Sequence, residues 1–380
     1  MVRPFRSLVI PFCLALAGLT NSQEIPFGSE RPTFEDKSPI FTSIPGKIVL
    51  EEHVSTSLFQ AAFTTPFHEK TNEIPYGNPA YQADVRNLLN VTSMKGRVHQ
   101  MDLANISLSI VSLVPPGIQG FFNKTLAVEM AAAVNDQMYK DYKTGIYSDR
   151  FEFFCSVALQ NPSAAAIELN RCVTELGGVG VMINSYTNNG SVNDITYLDD
   201  PIYAPFWQEL VSLDVPLYLH PRMPPPNQQR AYQGYDFLSG SPYGFSADAG
   251  IHVLRMMVSG LFDTYPTLQI VLGHCGEGLP FILARVDQRM RHLTRSQWSA
   301  KQTMSYYWQN NFHVTSAGVM DEPALTDTIR VSGEDRVMFS VDYPFEDDVE
   351  MSAWFDRLQI SSSVKRAIAY GNAQRLFKLG

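Results

Sequence analysis

The sequence predicts an α/β fold, a distorted (β/α)8 barrel with insertions. Eight short β-branched or apolar runs recur along the chain, and helical patterns separate most of them. With 380 residues and 45% hydrophobic composition, the chain can also bury a substantial core. A doubly wound open sheet is the alternative, but no Gly-rich phosphate loop follows the first run.

The predicted strands are the eight apolar runs. They are Lys47–Leu50, Ile106–Leu113, Phe151–Leu159, Val179–Ile183, Val215–Leu219, Ile270–Leu272, Phe312–Thr315 and Val337–Val341. Runs of this length and composition are typical of buried strands.

Three of the intervening helices have recognisable ends or faces. Pro162-Ser163 begins one that ends at Gly177-Gly178, and Asp200-Pro201 begins another. A third runs from Asp248 to Leu261. Helical spacing predicts that its core-facing residues are Ile251, Leu254, Val258 and Leu261.

The first 22 residues have the three-part pattern of a secretory signal peptide. Arg3 and Arg6 precede the apolar run Leu8–Leu19, and small and polar residues follow. We therefore expect residues 1–22 to be removed and residues 23–380 to form a single barrel domain in the secretory pathway, outside the cell or in the lumen of the ER or a vacuole. No later stretch approaches the ~20 apolar residues of a membrane span. An uncleaved amphipathic anchor is the alternative.

Composition limits the partners and modifications. A net charge of -9 without any Lys/Arg run argues against nucleic acid. The cysteines that follow the leader are odd in number and lack CxxC spacing, so a disulfide framework is not required. Four glycosylation sequons suit a secreted glycoprotein, and they begin at Asn90, Asn105, Asn123 and Asn189. Asn105, beside a predicted buried strand, is expected to stay unmodified.

Polar side chains follow four of the predicted strands. They are Glu51, Glu52 and His53 after the first strand, His220 after the fifth, His274 and Glu277 after the sixth, and Asp342 after the eighth. Because the carboxyl ends of barrel strands form one mouth, these residues are expected to converge there. Carboxylate and imidazole together suit Zn2+ or Mn2+.

Each of these residues alone also fits a structural role. A single His at a strand end is often only hydrogen-bonded, and an Asp there usually caps the next helix. Glu52 alternates away from Glu51 and is expected to form an ion pair or hydrogen bond. Three histidines and two carboxylates at four strand ends nevertheless favour a metal site. A structural role is expected for the other histidines, which are His68, His99, His252, His292 and His313.

Longer segments around these residues strongly resemble the amidohydrolase superfamily. They are Gly46–His53, Leu219–Arg222, Leu254–Asp263, Leu272–Phe281 and Ser340–Pro344. Within it they are similar to the metal-dependent nonoxidative decarboxylases of aminocarboxymuconate semialdehyde, γ-resorcylate and 2,3-dihydroxybenzoate. The match covers nearly all of the mature chain, in order.

The resemblance implies a distorted TIM barrel with one divalent ion, Zn2+ or Mn2+. The implied ligands are Glu51, His53, His220 and Asp342. His274 is implied to lie beside the ion as a catalytic partner of Asp342, and Glu277 to hold His274. Asn184 stands where binuclear members carry a bridging lysine, so a second metal is not expected.

The resemblance also points to substrate contacts. An arginine at the position of Arg285 contacts substrate in similar enzymes, across a subunit interface of a homo-oligomer, a dimer or a tetramer. A pair with Asp287 is the alternative for Arg285, and Arg222 is a weaker candidate for substrate binding. The family's usual Glu-Thr is replaced by Asp248-Ala249, which puts any contact made there in doubt.

The implied reaction is nonoxidative decarboxylation of an ortho-hydroxylated aromatic acid to a phenol and CO2. Acids of the salicylate, 6-methylsalicylate or dihydroxybenzoate type are the expected substrates. Either Asp342 or His274 would deliver the proton, and the sequence does not choose between them. A metal-dependent hydrolase of a lactone or amide would use the same ligands with an activated water, and stays open. A non-catalytic binding protein is expected to have lost a ligand, and none is missing.

Overall fold

The barrel is built from eight parallel strands, seen in a computed structural model that describes residues 46–63 and 94–380. The strands in chain order are β1 (Lys47–Val54), β2 (Ile106–Leu113), β3 (Phe151–Phe153), β4 (Val181–Asn184), β5 (Thr187–Asn188), β6 (Ile195–Thr196), β7 (Leu217–His220), β8 (Ile270–Leu272), β9 (Phe312–Thr315) and β10 (Val337–Met338). The short β5 and β6 pair antiparallel outside the barrel. The predicted signal peptide, His68 and Asn90 lie outside the described residues.

Two curved sheets make up the barrel wall. One has the order β1-β2-β3 and the other the order β10-β9-β8-β7-β4. Single bridges join their edges, one between Cys155 and Val181 and one between Glu52 and Tyr343. We call these junctions the β3/β4 seam and the β10/β1 seam. The predicted (β/α)8 fold is confirmed, and its distortion lies at the two seams.

Strand bounds differ from the sequence prediction mainly near the seams. β2, β8 and β9 have the predicted bounds, whereas β1 continues to Val54 and so contains its own polar residues. β3 ends at Phe153 and β10 at Met338, well before the predicted Leu159 and Val341. The chain after both strands stays buried although its ladder pairing has ended. An apolar pattern indicates that a segment is buried, not that it pairs with a neighbouring strand. The pattern therefore predicted both strands to be longer than they are.

Helices cover the outside of the barrel. The α-helices are Ser57–Phe63, Met94–Leu103, Lys124–Met138, Pro162–Thr174, Ala204–Leu213, Gly244–Val258, Leu261–Thr264, Leu279–Met290, Met304–Asn311, Glu322–Ser332, Asp348–Arg357, Ser362–Arg366 and Asn372–Phe377. All described residues belong to one compact unit. In the described part of the chain, none of these helices has the length and apolarity required to cross a bilayer.

The core face predicted for helix Gly244–Val258 is wrong at Ile251, which is 49% exposed. Leu254 and Val258 are partly buried against the core, and Leu261, which follows the helix, is buried. The most deeply buried apolar residues of the helix are Ala249, Val253, Met256 and Met257. These four have the same i, i+4, i+7 and i+8 spacing as an apolar stripe. Two overlapping apolar stripes run along this helix, and periodicity alone selected the less buried one.

Cys155 and Cys172 form a buried disulfide that the cysteine count did not predict. Their Cα atoms are 6.0 Å apart, and 17 positions separate them in sequence. The bond ties the chain after β3 to helix Pro162–Thr174, beside the β3/β4 seam.

Removing this disulfide should destabilise the fold. We expect the double variant Cys155→Ala/Cys172→Ala to lose about 3 kcal/mol of unfolding free energy in urea, because a cross-link over a loop of this size restricts the unfolded chain by that amount. Dithiothreitol should lower the stability of the wild type toward that of the variant and leave the variant unchanged. Equal unfolding free energies for wild type and variant would contradict the expectation.

Candidate metal centre and active site

Four predicted ligands meet at the carboxyl end of the barrel. Glu51, His53, His220 and Asp342 each offer an atom within 4.8 Å of the others. Nε2 of His53 lies 3.1 Å from Oδ1 of Asp342, and Nε2 of His220 lies 3.1 Å from Oε1 of Glu51. β1 supplies the first two side chains, β7 the third, and the segment after β10 the fourth. The group therefore spans both sheets.

The ligand atoms have the character of a cation site. Glu51 Oε1, His53 Nε2 and Asp342 Oδ1 are buried and, among the described residues, have no hydrogen-bond partner. A buried polar atom without a partner typically costs about 1–3 kcal/mol. Two carboxylates and two imidazoles are a donor set that suits Zn2+ or Mn2+. The residues present thus fit one divalent ion.

Neighbouring side chains hold two of the ligands. The Tyr218 hydroxyl donates to Oε2 of Glu51 and lies 2.9 Å from Oγ1 of Thr315. Ser112 Oγ lies 3.4 Å from Nδ1 of His53, on the ring edge opposite Nε2. Tyr218 was not among the residues predicted from the sequence, although its spacing of two from His220 on a strand places both on one face.

Gly273 is required by the close approach of Glu51. A Cβ at this position would lie 2.3 Å from Oε2 of Glu51, so any side chain would displace the carboxylate. In the motif Gly273-His274, the glycine therefore leaves room for the Glu51 carboxylate, and the histidine is a candidate catalytic residue.

His274 begins an unusual left-handed turn. The five residues His274 to Gly278 have φ angles of 51°, 53°, 83°, 56° and 73°. For residues other than glycine this conformation costs roughly 1–2 kcal/mol each. The turn brings Nδ1 of His274 within 2.7 Å of Oε1 of Glu277, the contact expected from the sequence. It is made across a left-handed turn and not across the ordinary helical turn that the spacing of three suggested.

The His274 ring faces the metal ligands with its other nitrogen. Nε2 lies 3.5 Å from Oε1 of Glu51 and 3.7 Å from Oδ2 of Asp342. Burial acts to lower the pKa of His274, but Glu51 and Glu277 outweigh burial and hold it well above its ordinary value. Burial acts to raise the pKa of Asp342, but contacts with His274 and His53 hold it below its ordinary value. The protein's own charges thus favour a protonated His274 beside an ionised Asp342.

Comparison with known proteins agrees with the geometry. Residues 93–379 match the amidohydrolase family Amidohydro_2. The chain belongs to this family. The amidohydrolase is 37% identical over 335 residues to a gamma-resorcylate decarboxylase of Rhizobium sp., a match that covers 88% of this chain and 98% of the relative.

Two solved structures are similar to this amidohydrolase over most of its length. One is 2,6-dihydroxybenzoate decarboxylase complexed with 2,6-dihydroxybenzoate, at 36% identity and a TM-score of 0.82, covering 88% of this chain and all (100%) of that one. The other is a dihydroxybenzoic acid decarboxylase from Polaromonas sp. with bound manganese and the inhibitor 2-nitroresorcinol. It has 37% identity and a TM-score of 0.80, and the match covers 88% of this chain and 98% of that one.

The two arginines considered for substrate binding have different surroundings. Arg222 of this amidohydrolase is 1% exposed, donates to the Tyr186 carbonyl and to Asn188 Oδ1, and stacks on the Tyr186 ring at 4.1 Å. Arg285 is exposed on helix Leu279–Met290 and forms no ion pair within the described residues. Asp287, its alternative partner, instead accepts from the backbone amides of Met304 and Ser305.

Three further polar residues near the mouth are buried. Asn184 ends β4 opposite His220 and is buried, with Oδ1 lacking a hydrogen bond within the described residues. Asp248 accepts from the hydroxyls of Ser185 and Tyr197, and burial raises its pKa to about 6. His252 Nε2 accepts from the Leu198 amide.

The other histidines in the described part of the chain are not members of the ligand group. His313 contacts the Gln269 side chain at 3.1 Å near the amino end of β9. His99 and His292 are exposed.

The described sequons differ in accessibility. Asn123 is exposed and caps helix Lys124–Met138 through Oδ1, which leaves Nδ2 for a glycan. Asn189 is half-buried, and its Nδ2 donates to Thr196. Asn105 is exposed just before β2, so burial does not protect it as the sequence analysis expected. Asn123 is thus the described sequon that a glycan could occupy with least disturbance.

Proposed function

We propose that this amidohydrolase catalyses metal-dependent, nonoxidative decarboxylation of an ortho-hydroxylated aromatic acid. The observation that carries the proposal is the group Glu51, His53, His220 and Asp342 with His274 beside it at the barrel mouth. Similarity to a gamma-resorcylate decarboxylase over nearly the whole relative supports the substrate class. Salicylate, 6-methylsalicylate and dihydroxybenzoates are the candidate substrates.

One divalent ion, Mn2+ or Zn2+, completes the site. The bound manganese of the Polaromonas structure supports Mn2+ as the first candidate. When bound, the ion supplies positive charge that orients an anionic substrate and stabilises charge developing on its oxygens. Glu51, His53, His220 and Asp342 hold it, and Tyr218 orients Glu51.

The chain's own part in the reaction is to deliver a proton. The proton adds to the ring carbon that bears the carboxylate. The bond between that carbon and the carboxylate then breaks, CO2 leaves, and the electron pair returns to the ring and restores aromaticity. His274 and Asp342 are the two candidates for the donor, since Nε2 and Oδ2 lie 3.7 Å apart on the same side of the ligand group. In either case Glu277 holds His274, because its Oε1 accepts a hydrogen bond from Nδ1 of His274.

Ortho-hydroxybenzoates should be consumed and meta-hydroxybenzoates should not. A meta hydroxyl cannot be held together with the carboxylate at one site, and it cannot stabilise charge while the ring is protonated. The difference should lie mainly in kcat, because the missing interaction strengthens in the transition state. CO2 release from the isomeric hydroxybenzoates, with Mn2+ supplied, measures it. Equal consumption of the two isomers, or no CO2 release from any salicylate-type acid, would contradict the proposal.

A metal-dependent hydrolase of a lactone or amide is the second candidate. The same four ligands could activate water, and the two functions differ in product. Appearance of an acid from a lactone or amide, without CO2 release from hydroxybenzoates, would favour the hydrolase.

We infer that the protein is a homo-oligomer, in which Arg285 reaches the site of a neighbouring subunit. Arg285 shares helix Leu279–Met290 with Phe281 and Ile282, which are 60% and 44% exposed. Exposed apolar side chains on the same helix as an arginine that forms no ion pair with the described residues are consistent with a subunit contact.

We also propose that the chain enters the secretory pathway. The leader pattern of residues 1–22 motivates this, and the Cys155–Cys172 disulfide is consistent with an oxidising compartment. Purified protein should begin near residue 23 and carry a glycan on Asn123, as shown by intact mass before and after deglycosylation. Cytosolic protein that begins at Met1, with no glycan on Asn90, Asn123 or Asn189, would count against it.

A further inference from the structure

A buried arginine lies directly behind the ligand group. Arg97, on helix Met94–Leu103, is 3% exposed. Its Nη2 donates to the backbone carbonyl of His53. Its Cζ lies 4.4 Å from the ring centroid of Tyr343, within the range of a cation–π contact. One guanidinium thus contacts His53 itself and the residue that follows Asp342.

These two contacts fall on opposite sides of the β10/β1 seam. His53 belongs to β1, whereas Tyr343 follows the short β10. The His53 amide donates to the Tyr343 carbonyl at 2.7 Å, and Glu52 and Tyr343 form the single bridge of this seam. Backbone pairing across the seam is therefore sparse at the point where two ligands from different sheets must be held at a fixed separation.

The positive charge of Arg97 also acts on a buried carboxyl group, that of Asp348. Glu52 is 1% exposed, and its Oε1 accepts from Ser340 Oγ at 3.2 Å and from the Val341 amide at 3.3 Å. Asp348, 2% exposed, begins helix Asp348–Arg357. The charge of Arg97 partly offsets the rise in pKa that burial causes in Asp348.

We propose that Arg97 is a positioning residue of the metal centre, which fixes the backbone of His53 against Tyr343 and so sets the separation of His53 and Asp342. It acts through those two segments and contacts neither the ion nor the substrate. The inference rests on the proposed metal site but not on the proposed reaction.

Mn2+ binding provides the direct test. Free Mn2+ can be followed by electron paramagnetic resonance while the ion is titrated into folded protein. Loss of a contact that only holds a ligand typically weakens metal binding by about 10–100-fold, and we expect a weakening in this range for Arg97→Met. Arg97→Lys keeps the charge but not the planar group that donates and stacks together, so its affinity should lie between those of wild type and Arg97→Met.

Arg150 offers a matched control at the other end of the barrel. Its Nε and Nη2 donate to the carbonyls of Ser107 and Ile106 on β2, and it pairs with Asp102. Arg150→Met removes the same kind of side chain from the same kind of contact. It should lower stability without changing the Mn2+ affinity of the folded protein.

A second variant separates positioning from charge neutralisation. The double variant Arg97→Met/Asp348→Asn removes the Asp348 carboxyl group, which in Arg97→Met lacks the charge of Arg97. The unfolding midpoint of the metal-free protein should recover relative to Arg97→Met, while the weakened Mn2+ affinity should persist. Recovery of affinity together with stability would overturn the inference, because Arg97 would then serve only to neutralise Asp348.

Other outcomes are equally decisive. Wild-type affinity in folded Arg97→Met overturns the inference and leaves the proposed function standing. If Arg97→Met does not fold, wild-type affinity in Arg97→Lys overturns it as well. If the wild type bound neither Mn2+ nor Zn2+, the metal centre itself would be excluded, and the proposed function with it.

Discussion

Asp342→Asn is expected to lower kcat by about 100- to 10,000-fold, the contribution of a positioned proton donor or acceptor. Asp342 contacts both His53 and His274, so it joins the ligand group to the histidine that can carry a proton. The amide retains one oxygen as a potential ligand but cannot carry the exchangeable proton of a carboxyl group. Turnover of a salicylate-type acid, measured with metal content and unfolding midpoint on the same sample, tests this.

Glu52→Gln is the matched control for that variant. Glu52 is buried beside the ligands, but Oε1 accepts hydrogen bonds that a glutamine carbonyl can also accept. Burial, followed by the nearby Asp348, raises the pKa of Glu52 well above its ordinary value, so a neutral side chain is already favoured there. Its kcat should fall far less than that of Asp342→Asn. Near-normal turnover by metal-loaded Asp342→Asn would exclude Asp342 from proton transfer.

His220→Ala should abolish stoichiometric metal binding. The wild type is expected to hold about one Zn2+ or Mn2+ per chain, and mutation of groups that merely orient a ligand already costs about 10–100-fold in affinity. Loss of a ligand should lower the metal affinity by more than the upper end of that range. Metal analysis of the purified proteins measures it.

His313→Ala is the control for the ligand variant. His313 is also buried on a barrel strand, but it lies near the amino end of β9, where it contacts Gln269. Its replacement should leave metal content unchanged. Two tightly bound ions per chain in the wild type, or full activity without any ion, would contradict the single-metal site.

The ligand residues were predictable because they interrupt apolar strands. Glu51, His53 and His220 are polar side chains at the carboxyl ends of runs that are otherwise mostly apolar, and a barrel brings those ends together. The (β/α)8 fold followed from the same alternation of apolar runs and helical patterns. Both inferences use short-range pattern and a general rule of topology.

Features that depend on a single distant contact were not predictable. Arg97 touches His53 and Tyr343, which lie 44 and 246 positions away along the chain, and no local pattern marks it among the other arginines. The pairing of Cys155 with Cys172 was hidden by an odd cysteine count. The left-handed turn at His274 was hidden for a different reason, because only Gly276 and Gly278 hint at the positive φ that its other residues share.

The two seams of the barrel differ in the kind of bond that lies beside them. At one junction a covalent bond between sulfur atoms backs the bridge at Cys155, whereas at the other the closing elements are non-covalent. Glu51 and His53 of one sheet and His220 of the other would hold one ion together, which would tie the two sheets to each other beside that second junction. A ligand present at a hundredfold excess over its Kd stabilises the folded state by about 2.7 kcal/mol. Chelation should therefore remove a stabilising contact between the two sheets and lower the free energy of unfolding, while the Cys155–Cys172 disulfide stays intact.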